Sequence, residues 1–192
     1  MSESSMARER VLNVAEQLFS ERGYNSVTLR DIADALGMKQ SSLYNHAPGG
    51  KEELFTAVME RSMQRHKANI ERVIAAAEPH LRPQLRAVAR WLLSQPPVNL
   101  IRMTTSDLPS VAPDRALHIG TLGGDALFQP IMALIEQAYR RGETRMIEPG
   151  TFAATFLSLI DGAHHSAQYS PVPAEVVADD MIDLLLDGAL RR

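Results

Sequence analysis

The sequence predicts an all-α protein. Apolar residues recur at spacings of three and four over most of the chain, as they do on the buried side of an amphipathic helix. Proline and glycine separate these segments, and no run alternates apolar and polar residues as a half-buried strand would. With 192 residues, the chain is long enough to bury a core, either as one domain or as two small ones.

The composition excludes several kinds of chemistry. The chain has no cysteine, which rules out disulfides, thiolate metal sites and a cysteine nucleophile. No apolar run is long enough to cross a bilayer, so we expect no membrane partner. We also expect no cofactor. The first ten residues are polar and do not resemble a secretion signal, so a cytoplasmic protein is expected.

The charge is slightly acidic overall but unevenly distributed. The net charge is -3, yet the segment up to Lys67 contains nine Lys or Arg and nine Asp or Glu. The remainder contains eleven basic and fourteen acidic residues and carries the whole deficit. A neutral N-terminal module could still bind a polyanion through basic groups on one face, with only a modest salt dependence.

Residues Val27–Lys51 predict a helix-turn-helix. Thr28 can cap a first helix, with Asp31 three positions later in a near match to a capping box. Gly37 suits the turn because glycine adopts a positive φ at little cost. A short polar helix over Lys39–His46 follows, and in this layout the second helix enters the major groove of DNA.

The remaining elements are predicted from apolar periodicity and from proline and glycine. A first helix should start near Ser4 or Ser5 and end at Arg22, before Gly23. A long helix should run from Lys51 to about Ala77 and connect the N-terminal unit to the rest. Further helices are expected over about Pro83–Leu93, Val98–Thr105, Asp114–Arg141 with a kink or split at Pro130, a segment starting at Pro149, and about Ala174–Leu190, with a loop over Asp107–Pro113.

This pattern divides the chain into residues 1–50, a three-helix DNA-binding domain, and residues 51–192, a helical bundle. The last two predicted helices are apolar on more than one side. In a small domain, such helices pack one side on the core and another on a partner subunit. We therefore predict a homodimer, which also fits a helix-turn-helix that reads two half-sites.

The predicted DNA contacts lie mainly in the second helix of the motif. Gln40 is expected to read a base edge, since an amide can bind adenine bidentately, and Lys39 to reach guanine or phosphate. Lys51, at a helix start, is a candidate anion site. The full set also contains short hydroxyls suited to either role and further polar groups expected on the DNA backbone, namely Thr28, Arg30, Ser41, Ser42, Tyr44, Asn45 and His46.

The N-terminal third resembles the TetR family of bacterial transcriptional regulators. The resemblance covers about sixty residues and rests on Ala15, Leu18, Phe19, Gly23, Tyr24, Thr28, Ile32, Ala33, Gly37, Met38, Ser41, Leu43, Tyr44, His46, Lys51, Glu52 and Leu54. It implies a homodimeric repressor of double-stranded operator DNA, not an enzyme. It further implies a small-molecule effector, apolar or amphipathic, that binds the C-terminal domain and spreads the two recognition helices by tilting the long helix.

Two features depart from the family pattern. The family usually has an aromatic residue after the histidine, where this chain has Ala47. The segment before Lys51 also carries an extra residue, in Pro48, Gly49 and Gly50.

Candidate effector-pocket residues in the C-terminal part are large apolar side chains and a histidine pair. They are Trp91, Met103, Phe128, Met132, Phe152, Phe156, His164 and His165. Asp161 lies one helical turn before the two histidines, so a metal pair is conceivable. Adjacent histidines project about 100° apart on a helix and a full ligand set is missing, so we expect no metal.

Three other functions remain compatible with the sequence. An enzyme could use Asp161, His164 and His165, although no phosphate-binding loop, nucleophile elbow or zinc-protease motif supports it. A metal-responsive regulator lies between that function and a regulator with an organic effector. A helical interaction module with a degenerate DNA-binding head is the third possibility, favoured only by Ala47 and the neutral charge.

Overall fold

The computed structural model describes residues 3–166 and 169–189, and these residues form helices and connecting turns without a strand. The all-α prediction is therefore confirmed for this part of the chain. The helices are α1 (Glu3–Arg22), α2 (Leu29–Leu36), α3 (Gln40–Leu43), α4 (Gly50–Ala76), α5 (Leu81–Leu93), α6 (Leu100–Arg102), α7 (Pro113–Gly123), α8 (Gln129–Arg140), α9 (Pro149–Ser166) and α10 (Ala174–Ala189). None of them is both long and apolar enough to cross a membrane.

The chain forms two compact units. Unit 1 contains the described residues up to Ser62 together with Ile101–Thr121. Unit 2 contains Met63–Leu100 together with the described residues from Leu122 onward. The chain thus passes between the units three times, whereas the predicted domains met once, at residue 50. We call Ile101–Thr121 the insert of unit 1.

Unit 1 is built around an aromatic cluster. The ring centroids of Phe19 and Phe55 are 5.2 Å apart in an edge-on arrangement, and those of Tyr24 and Phe55 are 4.8 Å apart. Edge-on and tilted ring pairs stabilise a core beyond the area that they bury. Val27 and Ile32 are fully buried, so the helix-turn-helix is packed into this core.

Helix α4 belongs to both units, and its prediction is confirmed to within one residue at each end. Its 27 residues span about 40 Å. Glu52 and Glu53 lie in its first turn, where acidic side chains interact favourably with the helix dipole. Gly50–Ser62 contributes to unit 1, and Met63–Ala76 contributes to unit 2.

Unit 2 is a helical bundle in which α10 packs against α9 and α5, and α8 packs against α9. Its core contains the fully buried side chains Ile70, Leu85, Leu127, Ile131, Leu134, Ile135, Phe156 and Ile182. Ile131, Leu134 and Ile135 recur at helical spacing within α8.

The predicted long helix over Asp114–Arg141 is interrupted. A π-helical turn over Gly124–Phe128 separates α7 from α8, and Pro130 lies in the first turn of α8. Proline has no backbone N–H and clashes with the carbonyl of residue i−4, here Ala126, so the preceding turn widens. The predicted break at Pro130 is thus confirmed, and it lies immediately before the proline.

The segment after α6 differs from the prediction. The α-helical part ends at Arg102 and continues as a π-helical turn over Met103–Asp107 and a 3₁₀ turn over Leu108–Ser110. The predicted loop over Asp107–Pro113 is therefore wrong as far as Ser110. The reason is tertiary, because Asp107 is 2% exposed and hydrogen-bonded to distant backbone.

Candidate nucleic-acid interface

Helix α2 begins at the predicted cap. Thr28 is extended and its hydroxyl accepts a hydrogen bond from the backbone N–H of Asp31 at 3.1 Å. The Asp31 carboxylate accepts the N–H of Thr28 at 2.7 Å, so the capping box is complete. The hydrogen bonds from the Thr28 hydroxyl and backbone lower the pKa of Asp31. The start of the motif is therefore fixed by its own residues.

The turn between α2 and α3 depends on Gly37. Its φ is 68°, in the left-handed region, and its N–H donates to Ala33 and Asp34. The N–H of Met38 also donates to the carbonyl oxygen of Ala33, at 3.0 Å. These contacts satisfy carbonyls at the end of α2 as in a Schellman motif, and they direct the chain into α3.

Helix α3 is shorter than predicted. It covers Gln40–Leu43, with Lys39 at its N-cap, and Tyr44–His46 continue as a turn. The N–H of His46 still donates to the carbonyl oxygen of Leu43, at 2.9 Å. Leu43 and Ala47 are 0% and 1% exposed, so they anchor the element in the core of unit 1. The alanine that departs from the family pattern is thus a buried packing residue.

The predicted DNA-contacting side chains are mostly exposed. Tyr44 is 46% exposed. Three of the predicted residues are half-buried, namely Ser42, His46 and Lys51. The others are exposed as well, namely Thr28, Arg30, Lys39, Gln40, Ser41 and Asn45. Arg30 lies 3.8 Å from Asp34 in an exposed pair, which holds it only weakly. These positions leave most of the set accessible to a nucleic acid, and their contacts with DNA stay predictions.

Lys51 is engaged inside unit 1. Its ammonium donates to the carbonyl oxygen of Tyr24 at 3.0 Å and lies 4.1 Å from the centroid of that ring. Burial lowers the pKa of Lys51. The N–H of Gly49, just before α4, donates to the carboxylate of Glu53. The helix start therefore already has an intramolecular anion, and a phosphate contact by Lys51 would add to these interactions.

Sequence reasoning missed the contribution of the insert to unit 1. Arg102 and Asp107 hydrogen-bond the end of α1 and the turn before α2. On α7, Arg115 Nε lies 3.6 Å from the carboxylate of Glu52, and His118 lies 2.8 Å from that of Glu60. No local pattern signals these pairs, because the partners are separated by more than fifty residues in sequence.

The predicted effector-pocket residues are not gathered at one described cavity. Trp91 borders an open cleft of about 740 Å³ beside Arg82, Arg86 and Arg90. His164 borders a different cavity, of about 20 Å³, with Leu92 and other apolar residues. Phe152 and Phe156 are buried in the core of unit 2, Phe128 and Met132 are half-buried there, and Met103 belongs to unit 1.

The Asp161 and histidine cluster has structural roles. The Asp161 carboxylate accepts the N–H groups of Asn99 and Leu100, at 3.3 and 2.8 Å. His165 Nδ1 lies 2.9 Å from the carbonyl oxygen of Asp161, and His164 Nε2 lies 3.3 Å from that of Leu92. Among the described residues, no group of three His, Cys, Asp or Glu could hold a metal ion.

The capped α2, the glycine turn and the exposed polar side chains around α3 define a helix-turn-helix DNA-binding protein. Residues 11–58 match the family model of bacterial regulatory proteins of the tetR family. The similarity to these regulators concerns the N-terminal segment, which contains α2, α3 and the first turns of α4.

Known proteins are similar to this chain in the N-terminal sequence or in the fold. The chain is 49% identical over 45 residues to the HTH-type transcriptional repressor KstR2 of Rhodococcus jostii, covering 23% of this chain and 22% of that protein. The aligned part thus spans about a quarter of that curated relative. The TetR family regulator PfmR of Thermus thermophilus is 26% identical, with a TM-score of 0.72, over 95% of this chain and 100% of that one.

A third similar structure contains a small molecule and DNA. AibR, in complex with isovaleryl coenzyme A and operator DNA, superposes with a TM-score of 0.76 over 93% of this chain and 97% of that one. Its sequence is 21% identical, so the similarity concerns the fold alone.

Proposed function

We propose that this protein is a ligand-responsive repressor that binds palindromic operator DNA as a homodimer in the cytoplasm. The observation that carries the proposal is the exposed polar surface of α3, within the segment that matches the family model. This surface follows α2, which has a capping box at its start and a glycine turn at its end. In a helix-turn-helix, this surface is the part that enters the major groove.

The side chains in this surface suit different parts of DNA. Gln40 lies at the first position of α3, and its amide can donate to and accept from adenine. Lys39 and Ser41 neighbour it and can reach a base or a phosphate. The side chains of these three residues form no hydrogen bond with the part of the chain that the structure describes, so binding to DNA requires no internal bond to break. We assign the remaining predicted residues to the phosphate backbone, or to a base or phosphate alike, namely Ser42, Tyr44, Asn45, His46, Thr28, Arg30 and Lys51.

The recognition surface is tested by fluorescence anisotropy on a fragment from the region upstream of the gene. Gln40→Ala should weaken binding by about 1–3 kcal/mol and relax the base preference at one position. Tyr44→Ala should weaken binding to all sequences alike. Gln64→Ala and Tyr139→Ala are matched controls, since both residues are exposed outside unit 1. Unchanged binding by the Gln40 and Tyr44 variants would remove α3 as the recognition element.

The assignment of a dimer rests on the last two helices. Leu184 and Val176 on α10 are 74% and 48% exposed. On α9, the exposed positions include the small residues Ala154, Ser158 and Gly162, which allow close approach of another helix. Exposed apolar side chains beside small residues on two adjacent helices are suited to a self-complementary interface. Two recognition helices on one dimer would read half-sites about 34–36 Å apart.

Sedimentation equilibrium tests the dimer. Leu184→Glu places a charge in the proposed interface and should shift the protein from dimer to monomer at micromolar concentration. Met146→Glu is the matched control, because Met146 is 73% exposed but lies outside α9 and α10. A monomeric unchanged protein, or a dimeric Leu184→Glu variant, would contradict this interface.

The effector is proposed to bind the C-terminal domain, residues 51–192, while residues 1–50 carry the DNA-binding function. The candidate pocket residues are those assigned from the sequence, and Trp91 and His164 border cavities of unit 2. An apolar or amphipathic ligand would suit their mainly apolar surroundings. The AibR complex supports an effector site in this fold, since that relative was solved with isovaleryl coenzyme A and operator DNA.

Isovaleryl coenzyme A and free isovaleric acid are suitable first probes. A ligand lowers operator occupancy only if it binds the DNA-free conformation more tightly than the DNA-bound one. We expect one amphipathic acid or thioester to raise the melting temperature and to release the operator fragment in the same concentration range. Binding that raises the melting temperature without releasing DNA would contradict the repressor mechanism.

A further inference from the structure

Arg102 binds the C-terminal end of α1. Its Nη2 donates to the carbonyl oxygens of Phe19 and Ser20, at 3.0 and 2.6 Å. These carbonyls belong to the last turn of the helix, which carries the negative end of the helix dipole, and that of Phe19 also accepts the N–H of Gly23 at 2.9 Å. The guanidinium adds a charged donor to both carbonyls and interacts favourably with the dipole.

Asp107 joins Arg102 to the turn that precedes α2. One carboxylate oxygen lies 3.3 Å from Arg102 Nε, and the other accepts the backbone N–H of Tyr24 at 3.0 Å. The Asp107 side chain is 2% exposed, so both interactions are formed away from water. Charge-assisted hydrogen bonds in such surroundings are among the stronger ones in proteins.

Two neighbouring residues complete the contact. Gly23 has a φ of 82°, and a Cβ at this position would lie 3.0 Å from Arg102 Cδ, so only glycine fits without a shift. Asn25 Nδ2 donates to the Oγ atoms of Ser106 and Ser110, at 3.2 and 2.8 Å. Two consecutive residues, Tyr24 and Asn25, are therefore hydrogen-bonded to the insert, and Gly23 leaves room for the Arg102 side chain.

The insert continues directly from a residue that is held within unit 2. The N–H of Leu100 donates to the carboxylate of Asp161 on α9, and both residues border the 20 Å³ cavity beside His164. Arg102 is two residues further along the chain. A change in the backbone at Leu100 would therefore reach the Arg102 side chain through a single intervening residue.

We propose that Arg102 and Asp107 are positioning residues for operator recognition. They hold the turn before α2 on the insert, so the placement of the helix-turn-helix within unit 1 depends on the insert as well as on α4. The insert is joined covalently to unit 2 at both of its ends, Ile101 and Thr121. This inference rests on the proposed function, because it assigns a role in binding two half-sites.

The test compares operators that differ in half-site spacing. Affinities are measured for the operator fragment and for versions lengthened or shortened by one or two base pairs. In the unchanged protein, a fixed orientation should favour the original spacing. Arg102→Met should reduce this preference by about tenfold, since it removes several hydrogen bonds to a charged group. Arg102→Lys should restore part of it, and Arg140→Met is the control for loss of one exposed arginine outside unit 1.

The spacing preference separates positioning from a loss of folded protein. A smaller folded fraction would weaken binding to all fragments equally and leave the preference unchanged, and that result would overturn the inference. Asn25→Ala offers a milder second variant, since Asn25 is exposed, and should lower the preference in the same direction. If the unchanged protein binds no DNA fragment, the proposed function and this inference both fail. If it binds with a spacing preference that Arg102→Met and Asn25→Ala retain, only this inference fails.

Discussion

The ammonium of Lys51 lies 4.1 Å from the centroid of the Tyr24 ring and donates a hydrogen bond to the carbonyl oxygen of the same residue. One side chain thus joins the first turn of α4 to the connection between α1 and α2. Lys51 is half-buried, and this burial lowers its pKa. This relationship gives Lys51 a structural role in unit 1.

Lys51→Met should destabilise the protein by about 1 kcal/mol, because the variant keeps the methylene groups but loses the hydrogen bond and the cation–π contact. Urea unfolding at pH 7 measures the difference. Lys67→Met is the control, since Lys67 is exposed on the same helix. Equal stability of the two variants would contradict the structural role. If the ammonium also contacts phosphate, Lys51→Met should lower the salt slope of operator binding by about 1.

Gly37→Ala should lower the free energy of unfolding by about 1–2 kcal/mol, because an L side chain is strained at a φ of 68°. A Cβ there would meet no atom within 4 Å, so the cost is conformational and not a clash. Gly37→Asn should cost less, since asparagine tolerates this conformation better. Thermal unfolding of both variants provides the measurement.

Gly120→Ala is the matched control for Gly37. Gly120 lies within α7, has no positive φ, and a Cβ there would also meet nothing within 4 Å. Alanine should therefore stabilise the helix by up to about 1 kcal/mol. A loss of stability similar to that of Gly37→Ala would show that the strained backbone is not the cause.

Glu143 should contribute a pH-dependent part of the stability. Burial raises the pKa of its carboxyl. Hydrogen bonds from Arg141, the N–H of Leu81 and His80 lower the pKa by more than burial raises it, so the pKa lies below its usual value of 4.5. A carboxyl with a lowered pKa in the folded state stabilises the protein above pH 4.5, and this stabilisation is lost as the pH falls through the lower folded-state pKa.

Melting temperatures measured from pH 7 to pH 3 check this prediction. Glu143→Gln should be less stable than the unchanged protein at pH 7, and the difference should shrink below pH 4.5. Glu78→Gln is the control, since Glu78 is exposed in the same unit. A difference that grows as the pH falls would mean that the carboxylate is not stabilised by its partners.

Asp183→Asn should weaken the packing of α10 on α5. Asp183 pairs with Arg82 and, at 3.1 Å, with Arg86, and these side chains are roughly one third exposed. Because exposed pairs are screened by water and salt, we expect a loss of only about 0.5–1 kcal/mol, smaller in 1 M NaCl than at low salt. Asp180→Asn, an exposed aspartate on α10, should change stability little in denaturant titrations at either salt concentration.

The sequence predicted those parts of the structure that depend on neighbouring residues. Thr28 and Asp31 are three positions apart, and Gly37 ends its own helix, so both signals were readable without tertiary information. The bounds of α4 followed to within one residue, and those of α5 to within two, from apolar periodicity and from proline and glycine. The all-α fold and the helix-turn-helix are confirmed on these grounds.

The sequence could not predict relationships between distant residues. The partner of Asp107 is the backbone N–H of Tyr24, 83 positions earlier, and a backbone group leaves no trace in residue identity. Lys51 was assigned to an anion because its place at a helix start is local, whereas its contact with Tyr24 is not. For Phe152 and Phe156, the apolar pattern indicated burial, but it could not distinguish core from cavity lining.

The three passages of the chain between the units limit how this protein can be recombined with regulators of similar fold. A chimaera that joins residues 1–62 to the effector-binding part of another regulator would lose the insert, although the family match at residues 11–58 suggests a self-contained module. The hydrogen bonds from Arg102 to the carbonyls of Phe19 and Ser20, and from the N–H of Tyr24 to Asp107, would then be lost. A biosensor built from this DNA-binding head therefore requires residues 101–121 to be transplanted with it.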